Sequence, residues 1–174
     1  MSYLVVSSHV NADSSTLKLA RRVVESLEAL GEPATLLDLA TREMPWCDGH
    51  RCYEHVDTKQ MAELVRGATA VILCTPIYNY TVNAALKNFI ELTDRAWEDK
   101  VVGFAVSAGG PASYMAVMQA ANWLMLDYRC VVVPRFVYAT REAFTDRELT
   151  DADVIRRLDE LAKAVVRMGK ALGT

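Results

Sequence analysis

The strongest constraint on this chain is an alternation repeated along its length: short apolar runs rich in Val, Ile and Leu are each followed by a segment of helical period. The runs occupy residues 3–7, 34–39, 70–75, 101–107 and 130–137, and turn residues bound each of them. Runs of this length and composition, without an in-out alternation, read as strands buried on both faces. Between the first two lies the clearest helix, with Leu17, Ala20, Val23, Val24, Leu27 and Leu30 at three-to-four spacing and Gly31 as a stop. Weaker helical patterns follow at 58–67, 82–97 and 112–128. The last, from Val154 to Met168, starts among Asp151 and Asp153 and ends near Arg167 and Lys170, which suits the helix dipole.

A strict strand-helix alternation demands a parallel sheet with right-handed crossovers, and therefore helices on both faces. Five strands in 174 residues fit an α/β three-layer sandwich of flavodoxin-like type, a five-stranded parallel sheet of order 2-1-3-4-5, in a single domain over residues 1–174. Residues 41–57 form the longest stretch without a clear period. The segment 112–128 is apolar on nearly every face, with Met115, Met118, Trp123, Leu124, Met125 and Leu126 needing cover. One side suits the sheet and another suits a second copy of the chain, so a homodimer or homotetramer is expected, with a deeper core as the plainer alternative.

Composition narrows the partners. Nineteen basic against twenty-two acidic residues, net charge -3 and no basic block argue against nucleic acid. No apolar run is long enough for a membrane span, and no basic leader precedes the first strand, so a cytoplasmic protein without membrane attachment is expected. Cys47, Cys52, Cys74 and Cys130 are then expected to be thiols, the last two inert in the core. Cys47, His50, Cys52 and His55 have a spacing that could hold zinc, but so tightly packed a set suits one tetrahedral ion poorly. No metal is expected; the segment reads as bordering the ligand site or a subunit contact, with Trp46 or Tyr53 covering apolar surface.

In an open parallel sheet, ligands bind at the carboxyl ends of the strands, and the unusual residues of this chain fall in three loops there. "SSHVNADSSTLKLA" (residues 7–20) gathers hydroxyls of Ser8, Ser14, Ser15 and Thr16 at a helix start, an arrangement for a phosphate; capping by Asp13, Ser14 or Ser15 alone is the plainer reading. The loop lacks both GxxxxGK[ST] and GxGxxG. His9 either donates to the anion or is a surface imidazole. "TPIYNY" (residues 75–80) ends the third strand and offers Tyr78 and Tyr80 as flat surface beside an aromatic ring, with Asn79 for hydrogen bonds. "SAGGPASY" (residues 107–114) brings two glycines whose N–H groups a ligand can approach closely.

Together the three loops resemble the NADPH-dependent FMN reductase family, whose pattern runs roughly GS-x-R-x-x-S-x-N/T…LA, then TPEYN…x-LKN, then S-x-GG. "TPIYN" followed by "ALKN" is the specific part. The resemblance implies FMN as cofactor and NADPH or NADH as reductant, with hydride passed to FMN and on to a small-molecule acceptor: flavin, quinone, azo compound or metal oxyanion. It implies that Ser8, Ser14, Ser15 and Thr16 hold the phosphate, that Pro76, Ile77, Tyr78, Asn79 and Tyr80 border ribityl and ring, and that Ser107, Ala108, Gly109 and Gly110 lie along the ring's polar edge. No side chain is expected to be catalytic, since the flavin carries the chemistry. Three positions depart from the pattern: Val10 stands where the family often has Arg, Ile77 replaces a frequent Glu, and Pro111 to Tyr114 replace further glycines. A flavodoxin-type electron carrier and a flavin-binding regulatory protein are the alternatives; the mild net charge speaks against the strongly acidic docking face of a carrier.

Overall fold

In the computed structural model, which describes residues 2–11, 13–146 and 148–173, the chain builds one parallel sheet covered on both faces. The strands are β1 (Tyr3–Ser7), β2 (Ala34–Asp38), β3 (Ala70–Tyr78), β4 (Thr81–Val82), β5 (Val101–Ala108), β6 (Val131–Val132) and β7 (Val137–Thr140). The helices are α1 (Ser15–Ala29), α2 (Val56–Gly67), α3 (Ala84–Thr93), α4 (Met118–Tyr128) and α5 (Ala152–Leu172). Along the sheet the order is β2-β1-β3-β5-β6, with β7 also paired to β5 and β4 paired antiparallel to the tip of β3.

The side chains of each central strand divide by the two-residue period. Leu4 and Val6 join Val71, Leu73, Phe104 and Val106 in a core closed by α2, α3 and α4. Tyr3 and Val5 join Ile72, Cys74 and Ala105 in the opposite core, closed by α1 and α5. On that second face α5 lies close to the sheet at Gly103, where a Cβ would stand 3.0 Å from Val165 Cγ2 and 3.2 Å from Leu161 Cδ1.

The parallel sandwich agrees with expectation, while the strand count is seven rather than five, for two local reasons. The expected fifth strand is broken at residues 133–136, where Pro134 has no N–H for the ladder and Arg135 takes a left-handed φ of 64°. Its halves, β6 and β7, pair with β5 at Val101–Val102 and at Ala105–Ala108 respectively. The third strand does not stop at Pro76: it runs to Tyr78 and turns back as β4, with Tyr78 opposite Thr81.

The helix expected over 112–128 is also divided. Residues Pro111–Val117 wind as a 3₁₀ segment, with Ser113 outside helical geometry (φ -104°, ψ 30°). The Tyr138 hydroxyl draws this segment in, donating to the Gly110 carbonyl at 2.5 Å and bonding the Ser113 hydroxyl at 2.8 Å. Only α4 proper is α-helical; Met118, Met125 and Leu126 on it and Met115 before it remain exposed. At the other end of the chain α5 is capped at both ends: Asp151 accepts from the N–H groups of Asp153 and Val154, and Gly173 closes it at φ 64°. Among the described residues no helix is long and apolar enough to cross a membrane.

Candidate functional site at the carboxyl edge

The three loops converge. A cavity of about 470 Å³ is lined by His9, Asn11, Asp13, Ser14, Ser15 and Thr16 from the first, Pro76, Ile77 and Tyr78 from the second, and Ser107, Ala108 and Gly109 from the third. A second basin of about 450 Å³, lined by Asn79, Tyr80 and Gly110 to Ser113, shares Ile77 as a common wall. A larger cavity of about 690 Å³ lies elsewhere, between the β6–β7 break and α5. Its Arg156 is already paired with Asp153 and Glu160, and the three loops contribute to it only through Tyr114.

Each wall has a local cause. Ser14 caps α1, its hydroxyl accepting from Leu17 N at 3.0 Å, so the N–H groups of Ser15 and Thr16 point out of the open helix end toward the cavity. The Thr16 and Ser107 hydroxyls bond each other at 2.7 Å, which joins the first loop to the third. His9 joins the first to the second: its Nδ1 accepts from Asn11 N at 2.9 Å, which assigns the proton to Nε2, and Nε2 then donates to Tyr78 Oη at 3.0 Å. Tyr78 is left with its own O–H free for a ligand.

The tip of β3 holds its tyrosines outward by a strained turn. Asn79 and Tyr80 are the two central residues of the β3–β4 hairpin, and both have positive φ, 50° and 61°. That is the signature of a type I′ turn, which favours Asn first and Gly second. A Tyr in the second place costs on the order of 1 kcal/mol, and it leaves Tyr80 71% exposed at the groove. Thr81 Oγ1 donates to Gln119 Oε1 at 2.9 Å and moors the hairpin to α4. At the third loop, a Cβ on Gly109 or Gly110 would meet open space, so the room beside that backbone belongs to the groove.

Ser8 is a correction. Expected among the phosphate donors, it is fully buried; its Oγ donates to Asn83 Oδ1 at 2.9 Å and does not face the cavity. Thr16 is also fully buried and its hydroxyl is engaged with Ser107, so what it presents to the cavity is backbone. Asp13, whose charge would repel an anion, has its side chain 85% exposed and 3.8 Å from Lys18 Nζ.

Three contributors escaped the sequence reading. Asn83 caps α3 through Leu86 N (3.2 Å) and gathers Ser8 and Thr75 on its side chain; an Asn immediately before an apolar helix is a capping signal that could have found it. Arg141 and Phe144 reach the cavity from the segment after β7. Arg141 makes no ion pair or side-chain hydrogen bond among the described residues, and it puts a full positive charge at the helix end. Lys18 holds its segment in place, donating to the carbonyls of Thr145 (3.3 Å) and Asp146 (2.7 Å).

The Cys/His segment brings Cys47 and Cys52 near each other but neither histidine with them, and among the described residues no group of three or more His, Cys, Asp or Glu side chains could hold a metal ion. His55 caps α2 instead, its Nδ1 accepting from Asp57 N. The segment lines neither basin of the groove; Tyr53 packs on the core, while Trp46 is exposed. Cys74 and Cys130 are the inert core thiols expected: burial pushes the first well above the ordinary range and the second up to about 11.

The groove therefore offers an anion seat of helix N–H groups, Ser15 and Arg141, continued by an apolar wall, two outward tyrosines and an open glycine backbone. That combination fits a phosphorylated planar heterocycle. Comparison with known proteins agrees. A family model described as NADPH-dependent FMN reductase matches residues 1–145. An NAD(P)H-dependent FAD/FMN reductase of Geobacillus thermodenitrificans is 33% identical over 136 residues, 76% of this chain and 74% of that one. An NADPH azoreductase of a Bacillus species is 26% identical over 181 residues, 99% of each chain. Among solved structures, the flavoenzyme NAD(P)H:(acceptor) oxidoreductase of Paracoccus denitrificans superposes with a TM-score of 0.80 at 19% identity, covering 98% of this chain and 97% of that one; at that identity the likeness speaks for the fold.

Proposed function

Since the chain belongs to the NADPH-dependent FMN reductase family, we propose that FMN is held along the carboxyl-edge groove, its phosphate at the Ser15–Thr16 end of α1 beside Arg141. Pro76, Ile77, Tyr78, Asn79 and Tyr80 would border the ribityl chain and ring, and Ser107, Ala108, Gly109 and Gly110 its polar edge. The protein is an FMN-dependent oxidoreductase that draws on NAD(P)H. Bound FMN supplies the two-electron chemistry; the chain binds, orients and shields.

The assignments follow from what each group has left to offer. Ser15 and Thr16 give main-chain donors, and Arg141 balances a dianion that Asp13, paired outward with Lys18, does not oppose. His9 fixes the Tyr78 ring in its outward place and frees the phenol proton for the ligand. Ile77, 8% exposed, closes the wall between the basins where a carboxylate would have carried charge. Gly109 and Gly110 let N–H dipoles approach a developing negative charge without an intervening side chain.

The observation that carries this reading is the meeting of the α1 helix end, Arg141, the Tyr78–Tyr80 hairpin and the glycine loop around one groove. The test is a visible spectrum of protein saturated with FMN, followed under anaerobic addition of NADPH and then NADH. Loss of the flavin absorption is expected; a spectrum unmoved by both reductants would refute it.

For the acceptor, the exposed Tyr78 and Tyr80 favour a small planar molecule, a quinone or an azo dye, that would stack against their rings. The apolar face of Met115, Met118, Met125 and Leu126 favours self-association of the chain; sedimentation giving a monomer at micromolar concentration would refute that part. Four free thiols favour the cytoplasm.

A further inference from the structure

Away from the groove, the segment between β2 and α2 brings together two thiols that the reductase reading leaves without a task. Cys47 Sγ and Cys52 Sγ stand 3.9 Å apart, the Cys52 thiol donating to Cys47. Both are free, Cys47 half-buried and Cys52 buried against the core. We propose that Cys47 and Cys52 are a thiol oxidation site, at which a hydroperoxide is reduced at Cys47 and Cys52 closes the pair into a disulfide.

The two sulfurs differ in the way such a step requires. Cys47 is the more accessible, and its Sγ lies 3.8 Å from the Tyr53 hydroxyl. That hydroxyl is pushed up to about 12 by its bond to Cys47 and by burial, so it keeps its proton and can donate to a Cys47 thiolate. Cys52 is held as the thiol: burial raises it, and the neighbouring Asp48 carboxylate adds to the effect. Asp48 in turn is fixed by accepting from Cys52 N at 3.0 Å and His50 N at 2.9 Å. Cys47 is the nucleophile on these grounds and Cys52 the resolving group.

Closure needs the sulfurs to approach by about 2 Å, to the ordinary disulfide length. Gly49, at φ 71° with open space around it, sits at the bend between them and can absorb the change. Cys47 N is tied to Asn88 Oδ1 at 3.0 Å, which keeps its sulfur on the side facing Cys52.

The chemistry balances without a metal or a further reductant. The Cys47 thiolate attacks one peroxide oxygen; the S–O bond forms, the O–O bond breaks, and the departing oxyanion takes a proton from solvent. Cys52 sulfur then attacks Cys47 sulfur; the S–S bond forms, the S–O bond breaks, and hydroxide leaves with the Cys52 proton as water. Two thiols and one hydrogen peroxide become one disulfide and two waters.

The test uses the full chain, reduced, freed of reductant, and exposed to stoichiometric hydrogen peroxide, then alkylated under denaturing conditions and mapped by mass spectrometry. A peptide pair joined through Cys47 and Cys52, cleaved by dithiothreitol, is expected, with Cys74 and Cys130 recovered as thiols. Cys52→Ser should accumulate a sulfenic acid at Cys47 that dimedone captures, and Cys47→Ser should leave Cys52 unoxidised. Recovery of both residues as thiols would overturn the proposal. So would over-oxidation of Cys47 without a link in the parent chain, or oxidation of Cys52 in Cys47→Ser.

Discussion

Ser8 and Asn83, 75 residues apart, exchange two hydrogen bonds: Ser8 Oγ donates to Asn83 Oδ1 at 2.9 Å, and Asn83 Nδ2 donates to the Ser8 carbonyl at 2.8 Å. The same Asn83 oxygen caps α3 and accepts from Thr75 Oγ1 at 3.3 Å. One buried amide thus sets the distance between the loop that would hold a phosphate and the loop that would hold a ring. Asn83→Ala removes the cap and leaves Ser8 and Thr75 hydroxyls without their partner, for a loss of about 3 kcal/mol. Urea denaturation should show a lower midpoint at unchanged slope.

Arg141 is the full cation of the groove. Arg141→Met should weaken FMN binding about tenfold, or ~1.4 kcal/mol, with Arg141→Lys in between, as followed by quenching of flavin fluorescence. Riboflavin, which lacks the phosphate, should bind parent and variant alike; an equal loss for both ligands would place Arg141 elsewhere than at the phosphate.

Tyr80 should separate stability from binding. In the second place of its turn, at φ 61° and largely exposed, Tyr80→Gly relieves the backbone at little cost in packing. Thermal unfolding of the apoprotein should rise by an amount corresponding to about 1 kcal/mol, while FMN or acceptor binding weakens. A fall in both would mean that the ring is anchoring the hairpin.

The Asp48 carboxyl, accepting from the N–H groups of Cys52 and His50, is held down from 3.8 to about 2. A depressed folded pKa means that its contribution is present above the unfolded value and is lost as pH falls through about 2. Carbon NMR should give an Asp48 midpoint well below that of a free aspartate, with the Cys52 amide moving alongside it. In Asp48→Asn that amide should no longer follow acid.

The sequence carried the frame of this fold better than its irregularities. β1 and α5 are legible because burial on a strand and the stripe of a helix are local, periodic consequences of facing a core. The β3–β4 hairpin was missed because "YNYT" lacks the Gly that usually announces a type I′ turn, and the break at Pro134 because apolar residues resume on both sides of Pro134 and Arg135. At the site, hydroxyls and glycines drew attention to the right loops, yet composition does not say which way a side chain turns: Ser8 faces inward because Asn83 competes for it. Arg141 was invisible for a different reason. It arrives from the far end of the sheet, positioned by Lys18 holding the carbonyls of Thr145 and Asp146, a tertiary clasp with no period of its own.

The interruption at residues 133–136 bears on solubility as well as on strand count. An unbroken Cys-Val-Val-Val margin would present a row of free amides and carbonyls to any neighbouring chain, the kind of template on which cross-β stacking begins. With Pro134 withholding a donor and Arg135 turning the backbone out of line, that border is too short and too crooked to be extended. Replacing both by β-forming residues would invite edge-to-edge aggregation before it disturbed the groove.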